Sequence, residues 1–343
     1  MDIQYIKCVI WDLDNTLWKG ILLEDSSVTV NKKVLNTIVE LDKRGILNSI
    51  ASRNNYDDAW KKLEELGISK YFVFPEINMG NKSDSILRIS SNLNLSLDSF
   101  AFIDDQDYEL AEVLSVCPEV LCIKMDEKFS VLDKEEFIPR FITSDSHKST
   151  ELYQNEIKRN LYKQSRCKNE LAFLRSLNLK IGIKRATVDD LKRIEELTIR
   201  THQMNSTGIT YSYEDLCKMI ENPQYIVLIT EMSDSFGEYG KIGVTLIEVK
   251  ESKYIIKLHL MSCRVISRGV GNIVLIDVMK RIQNSDISLY ADYQKTERNK
   301  NMYLAYKLIG FREKRTNGSY VLFEYDKSII HDYPSYVVVV SDW

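Results

Sequence analysis

The chain has 343 residues, a formal net charge of −4, 44% hydrophobic and 28% charged residues, a composition that suits a globular protein of about two domains. The acidic balance and the lack of a long Lys/Arg run argue against a nucleic-acid binder. No apolar stretch reaches the ~20 residues of a membrane span, and the first residues show neither the basic nor the apolar region of a signal peptide, so no membrane partner and a cytoplasmic setting are expected.

Over residues 1–125 apolar runs alternate with amphipathic stretches. "IKCVIWDL", "LNSIASR", "YFVFPE", "FAFIDD" and "VLCIKM" read as strands. "KKVLNTIVELDKRG", "YDDAWKKLEELGI", "KSDSILRISSNLNL" and "YELAEVLSV" carry apolar residues at three- and four-residue spacing and read as helices. Gly45 and Gly67 sit where helix C-caps are expected. Near-continuous apolar strands alternating with helices predict an α/β domain, a doubly wound parallel sheet covered on both faces. Residues 126–178 are polar with long helical periodicity and read as a helical connector. From "LKIGIKRAT" onward, residues 179–343, strands lie next to one another as well as to helices, which predicts an α+β domain. Six cysteines, Cys8, Cys117, Cys122, Cys167, Cys217 and Cys263, form no Cys-x-x-Cys pair and only four histidines accompany them. That argues against a zinc site or a disulfide scaffold, and most of these thiols are expected to be buried small hydrophobes.

Asp12 and Asp14 end the first expected strand, in "CVIWDLDNTLW". In an open parallel sheet ligands bind beyond the carboxyl ends of the strands, and a divalent cation such as Mg²⁺ can hold paired carboxylates ionised through hard oxygen ligands. Turn formation and capping are the alternative for Asp14 and Asn15. Ser52 follows a second strand, Lys82 precedes a helix, and Asp104 and Asp105 end a further strand. Each alone has a structural explanation, whereas together, each at a strand or helix end, they form a constellation.

That constellation resembles the haloacid dehalogenase (HAD) phosphohydrolase superfamily over residues 5–125, with Asp12-Leu13-Asp14-Asn15-Thr16 matching its first motif. The resemblance implies that Asp12 is the nucleophile that forms an aspartyl-phosphate and Asp14 the general acid/base. It further implies phosphate-side roles for Thr16, Ser52 and Lys82, and a Mg²⁺ site made by Asp12, Asp14, Asp104 and Asp105. Asp14 to Ser52 is 38 residues and Ser52 to Lys82 is 30, so neither gap holds a cap domain.

In the second half, Gly269 and Gly271 open an amphipathic helix whose backbone N–H groups can cradle a phosphate. "NKNMYLAYKLIGF" resembles the late helix of GNAT-type acyltransferases, although Ile266 stands where those proteins usually carry Arg or Gln. "WDLDNTLWKGILLED", "FIDDQDYELAEV", "THQMNSTG" and the "MSCR" segment with its "RGV" resemble the FkbH-like family across nearly the whole chain. That family makes glyceryl-carrier-protein building blocks for polyketide and related pathways. The resemblance implies a HAD-like domain fused to a GNAT-like domain. The substrate would be 1,3-bisphosphoglycerate, Mg²⁺ the cofactor, and the phosphopantetheine thiol of an acyl carrier protein the partner, with Cys263 holding the glyceryl thioester.

The residues themselves fit such a role for Cys263, since a thiolate is suited to attack an acyl phosphate and pass the acyl group to another thiol. Arg264 and Arg268 can lower its pKa or bind substrate phosphate, and a buried strand cysteine is the structural alternative. His259 shares the expected strand with Cys263, but four strand residues span ~13 Å, too far for a hydrogen bond. His202 stands where the family more often has Asn. Gln203, Asn205 and Thr207 can bind glyceryl hydroxyls or cap helix ends, and Asn299 resembles a family asparagine near the acyl-transfer site. Two other functions fit the same residues: a capless phosphatase with a protein-docking module, and a phosphatase fused to a small-molecule N-acetyltransferase.

Overall fold

The structure, a computed structural model, describes residues 5–25 and 27–343; residues 1–4 and 26 of the expected first domain lie outside the described residues. The chain divides into two compact units, Met1–Lys158 and Arg159–Trp343.

In the first unit the elements follow as β1 (Cys8–Trp11), a ribbon of β2 (Trp18–Lys19) with β3 (Thr29–Val30), α1 (Lys32–Lys43), β4 (Leu47–Ser52), α2 (Tyr56–Glu65), β5 (Glu76–Ile77), α3 (Lys82–Leu93), β6 (Phe100–Asp104), α4 (Asp107–Val116) and β7 (Leu121–Lys124). The five-stranded sheet has the order β5-β4-β1-β6-β7 and every pairing in it is parallel. Side-chain alternation along β1 explains why the whole strand is apolar. Val9 and Trp11 pack with Val34, Ile38 and Leu41 of α1 and Ala59 and Leu63 of α2. Cys8 and Ile10 face the other way, onto Ile86, Ile89 and Leu93 of α3 and Val113 of α4. Both faces are therefore covered, as the near-continuous hydrophobic strands predict. From β1 the chain runs through β4 to β5 on one side and returns to β6 and β7 on the other, which puts the topological switch beside the end of β1.

Two local expectations are corrected. "YFVFPE" is not a continuous strand: Ser69–Tyr71 is a 3₁₀ turn, Phe72 makes an isolated bridge to Asn48, and the ladder with β4 is confined to Glu76–Ile77. Phe74 adopts a positive φ of 47°, and Pro75, which follows it, has no N–H to give a ladder. The small β2–β3 ribbon, joined by Trp18–Val30 and Lys19–Thr29 pairing, is unforeseen because its strands are two residues long.

Beyond β7 come α5 (Ser144–His147), α6 (Ser149–Arg166) and α7 (Glu170–Ser176). In this stretch Phe129, Val131 and Phe137 belong to the core of the first unit, while Phe173, Leu174 and Leu177 belong to that of the second.

The second unit contains β8 (Leu179–Arg185), α8 (Val188–Arg200), α9 (Tyr213–Glu221), β9 (Tyr225–Asp234), β10 (Gly237–Lys250), β11 (Lys253–Met261), a 3₁₀ segment (Cys263–Arg268), α10 (Val270–Ile282), β12 (Ser288–Gln294), α11 (Lys300–Leu308), β13 (Phe311–Asn317), β14 (Tyr320–Tyr325) and β15 (Val337–Asp342). Its sheet has the order β13-β14-β12-β11-β10-β9-β8-β15. β11 and β12 run parallel but pair only from Lys253–Ser288 to Ile256–Ala291. Past that point a loop enters between them. The Met261 N–H donates to the Met204 carbonyl, Ser206 N–H to the His259 carbonyl and Gln294 N–H to the Ser206 carbonyl, each at 3.0 Å. Among the described residues no helix is long and apolar enough to cross a membrane.

Candidate active site

The parallel register pairs Trp11 with Ile50 on one side and with Ile103 on the other. Asp12, Ser52 and Asp104 therefore fall within two residues of one row, at the carboxyl edge of the sheet beside the switch. Lys82, the first residue of α3, reaches this edge, and its Nζ donates to Asp12 Oδ1 and, at 2.7 Å, to Asp104 Oδ2. All three side chains are buried. Asp104 Oδ1 accepts from the Gln106 N–H at 2.8 Å. Asp105 completes the group: ligand atoms of Asp12, Asp104 and Asp105 lie within 4.8 Å of one another.

Three carboxylates and one ammonium leave excess negative charge in a buried place. Burial pushes Asp12 up, with Asp104 adding to it, against the opposing pull of Lys82. Asp105 is raised by burial and by Asp104. Burial works against the charge on Lys82, but Asp12 and Asp104 outweigh it and hold its pKa up. Asp105 Oδ1 is sealed from solvent without a hydrogen-bond partner. An orphaned carboxylate oxygen beside two others is the hard-oxygen donor set a Mg²⁺ ion takes, so these residues fit the metal that the sequence implies.

Asp14, expected among the metal ligands, lies outside that group. Its Oδ1 accepts from Trp18 Nε1 at 2.7 Å and from the Leu22 N–H at 3.0 Å, and its Oδ2 accepts from Asn54 Nδ2 at 2.9 Å. The turn that swings it aside passes through Asn15, held at φ 54°, a left-handed conformation that asparagine tolerates. Thr16 is fully buried and its Oγ1 is sealed without a partner, so in this conformation the hydroxyl does not open toward a phosphate. Ser52 ends β4 and is buried. Asn54, which holds Asp14, was not among the expected site residues. Its signal is the Asn-Asn pair directly after "IASR", but nothing in the sequence says that Asn54 turns toward Asp14.

In the second unit Cys263 does not lie on a strand. β11 ends at Met261 and Cys263 opens the 3₁₀ segment, half-buried, with Arg264 also half-buried and Arg268 buried. The expected strand geometry between His259 and Cys263 is corrected accordingly; the chain turns because the loop at Met204–Ser206, not β12, pairs with the end of β11. The Arg268 guanidinium lies 5.5 Å from the Phe173 ring centroid, which ties it to the core. Gln203 is half-buried and His202 exposed.

Asn205 and Asn299 are buried scaffolding. Asn205 Oδ1 accepts from Thr207 N–H at 3.1 Å and Gly208 N–H at 2.8 Å. Asn299 Nδ2 donates to the carbonyls of Asn205 at 3.0 Å and Gln294 at 2.9 Å, while its Oδ1 accepts from Thr296 N–H at 2.9 Å and Tyr293 OH at 3.0 Å. Those four contacts fill the capacity of the Asn299 amide. It fixes the inserted loop rather than facing a substrate. Gly269 takes φ +69° at the start of α10, and α10 begins immediately after it.

No protein-family model matches the chain, and no curated protein matches it. Among solved structures, the chain is similar to the N-terminal part of a Bacteroides fragilis protein containing a phosphatase domain, complexed with Mg. The identity is 30%, over 36% of this chain and 37% of that one, with a TM-score of 0.33. The match therefore spans little over a third of that solved chain, itself the N-terminal part of its protein. Over 42% of this chain and 98% of the other it is similar to the PaiA N-acetyltransferase of Thermoplasma acidophilum in complex with coenzyme A, with 18% identity and a TM-score of 0.35. Over 44% of this chain and 97% of the other it is similar to the ribosomal-protein-alanine N-acetyltransferase of Escherichia coli, with 11% identity and a TM-score of 0.35.

Proposed function

We propose that the chain is a Mg²⁺-dependent phosphatase joined to an acyltransferase, and that it converts 1,3-bisphosphoglycerate to a glyceryl thioester on an acyl carrier protein through Cys263. One observation carries the phosphoryl half: Lys82 gathers Asp12 and Asp104 at the carboxyl edge of a parallel sheet, beside Asp105. The glyceryl and carrier-protein half is supported by the resemblance of the sequence, read above from "WDLDNTLWKGILLED" and "MSCR".

Asp12 attacks the phosphorus of the C3 phosphate ester through a carboxylate oxygen as the bond from phosphorus to the C3 oxygen breaks, which leaves the acyl phosphate at C1 to the Cys263 step. Lys82, donating to Asp12, fixes the direction of attack and offsets charge on the phosphoryl oxygens. Asp14 gives the leaving oxygen its proton. Its Oδ2, which accepts one donor from Asn54, keeps a lone pair for that proton. Asp14 then takes a proton from water, the water oxygen bonds to phosphorus, and the bond from Asp12 to phosphorus breaks. Asp12, Asp104 and Asp105 would hold Mg²⁺, which when bound supplies Lewis-acid stabilisation of the phosphoryl charge. In the second unit the Cys263 thiolate attacks the acyl-phosphate carbonyl, the carbonyl–phosphate bond breaks, and the glyceryl group passes to the carrier thiol with return of the Cys263 thiolate. Arg264, next in the chain, would meet the departing phosphate.

Intact-mass spectrometry tests this. The protein is mixed with 1,3-bisphosphoglycerate generated in situ, Mg²⁺ and a phosphopantetheinylated carrier protein. The expected result is a glyceryl adduct on the carrier and a transient one on the enzyme that Cys263→Ala removes. Loading by Cys263→Ala at the wild-type rate would refute the covalent step. Asp12→Asn is expected to abolish phosphate release, and survival of that release would refute the phosphoryl assignment.

A further inference from the structure

A cavity of about 210 Å³ lies in the second unit, between the end of β11, the first turn of α10 and α11. Its walls are mostly thioether and hydrocarbon, from Met204, Met261, Val265, Met302, Ala305 and Leu308. His259 lines it too, and is fully buried. The backbone of His259 is pinned by the inserted loop, since its N–H donates to Ser206 Oγ at 2.9 Å and its carbonyl accepts from Ser206 N–H at 3.0 Å. The ring is pinned as well: Nδ1 lies 2.9 Å from Thr245 Oγ1 of β10.

The other ring nitrogen, Nε2, is buried and makes no hydrogen bond of full geometry, although the Gly271 backbone lies close enough to favour a proton on the ring. An unpaired polar atom in an apolar wall is unfavourable unless something arrives to pair it. The Thr245 contact decides which way Nε2 is poised. Thr245 is fully buried and its hydroxyl has His259 Nδ1 as its hydrogen-bond partner. A hydroxyl that only accepted from Nδ1–H would leave its own hydrogen unpaired in the core, so donation to Nδ1 is the arrangement that satisfies more of the buried groups; it makes Nδ1 an acceptor and leaves the single proton of the neutral ring on Nε2. Gly271 keeps the approach open, because a Cβ there would come within 3.3 Å of Nε2.

We propose that His259 is a neutral N–H donor that selects a short acyl group by binding a hydroxyl oxygen carried on its chain. The inference rests on the acyl-transfer reading of the second unit. Cys263 does not line the cavity, so the oxygen His259 meets is not the carbonyl that the thiolate attacks but one further along the acyl group. The volume suits a group of a few atoms, being below the ~300 Å³ at which pockets for larger ligands begin. A donor that finds no acceptor penalises the plain hydrocarbon analogue, because the buried N–H then stays unpaired. His259 is thus a specificity-determining and positioning residue.

Two measurements on the full chain test this. With only four histidines in the sequence, the ¹H–¹⁵N ring spectrum at pH 7 can be assigned residue by residue. His259 is expected as the neutral Nε2–H tautomer, and Thr245→Val is expected to lower that population. Binding of the S-glyceryl and S-propionyl thioesters of N-acetylcysteamine is then compared by calorimetry. The wild type is expected to hold the glyceryl probe at least about tenfold more tightly. His259→Leu is expected to erase that preference, and His259→Gln, which keeps an N–H donor, to restore part of it. An Nδ1–H or cationic ring, equal affinity for the two probes, no binding of either, or a preference that survives in His259→Leu would each overturn the proposal. Should His259→Leu fail to fold, the wild-type spectrum and Thr245→Val still decide. Intact probe discrimination with no glyceryl loading of a carrier would refute the transfer reading and leave this one standing; glyceryl loading with equal probe affinity would do the reverse.

Discussion

Lys82 is the charge on which the first site turns. It is buried and donates to Asp12 and Asp104, so removing it leaves two buried carboxylates uncompensated, a loss of about 3–5 kcal/mol for a broken buried pair. Lys82→Met is therefore expected to lower the melting temperature strongly in EDTA and to recover part of it in saturating Mg²⁺, because a cation bound only by the folded state stabilises it. Thermal unfolding with and without the metal checks this, and no response of the variant to Mg²⁺ would mean that Asp12, Asp104 and Asp105 share no ion. His259 supplies a different test. Burial pulls its pKa down to about 4, against about 6.5 in an unfolded chain. Above pH 6.5 both states leave the ring neutral and its contribution is complete; as pH falls toward 4 only the unfolded chain takes the proton, and stability is lost. At pH 5 the loss is about 2 kcal/mol, so the difference in urea unfolding free energy between pH 7 and pH 5 should shrink by that amount in His259→Gln. Lys82, Asp104 and Asp105 were legible in the sequence because each stands at a strand or helix end. Asn54 and the scaffolding role of Asn299 were not, since each depends on partners 40 and 94 residues away that no local pattern specifies.

The helices of the first unit were legible because their ends carry their own chemistry. Asn31 and Asn55 accept N–H bonds at the starts of α1 and α2, and Gly45 and Gly67 follow their last residues at φ 74° and 68°. The two glycines look alike in sequence but differ in surroundings. A Cβ at Gly67 meets nothing within 4 Å, whereas one at Gly45 comes within 2.7 Å of Ser146 Cβ and 2.9 Å of its carbonyl oxygen. Gly67→Ala should then lose only the left-handed backbone preference, about 1 kcal/mol. Gly45→Ala should lose that and also displace α5, for a total of about 2 kcal/mol or more. Denaturant unfolding of the two variants gives the comparison, and equal losses would show that α5 yields without resistance. The strands were less evenly legible. β13, "FREKRTN", is exposed in every residue but Phe311, so it has no apolar alternation to read and is a strand only because β14 pairs with it. β15 does carry a readable signal, four consecutive valines, though its parallel partner β8 lies more than 150 residues earlier.

At the scale of the molecule, the residues of the two proposed chemistries fall in different units. Asp12, Asp14, Lys82, Asp104 and Asp105 fall in Met1–Lys158, and Cys263 and His259 in Arg159–Trp343. The strand–helix alternation of the first half and the strand-rich meander of the second make that contrast legible in the sequence, because strands separated by helices pair in parallel and strands joined directly pair antiparallel. What periodicity could not convey is the loop wedged between β11 and β12, which both ends the strand before Cys263 and positions His259. If the division of residues is also a division of labour, lesions should separate. Hydrolysis of p-nitrophenyl phosphate should vanish in EDTA or in Asp12→Asn, yet stay within about twofold of wild type in Cys263→Ala, as expected for independent sites. Conversely, iodoacetamide should label Cys263 in Asp12→Asn at the wild-type rate, read by peptide mass. A Cys263→Ala variant that lost phosphatase activity while keeping its melting temperature would show that one chemical step waits on the other, and would move Cys263 from acyl carrier to a participant in phosphoryl transfer.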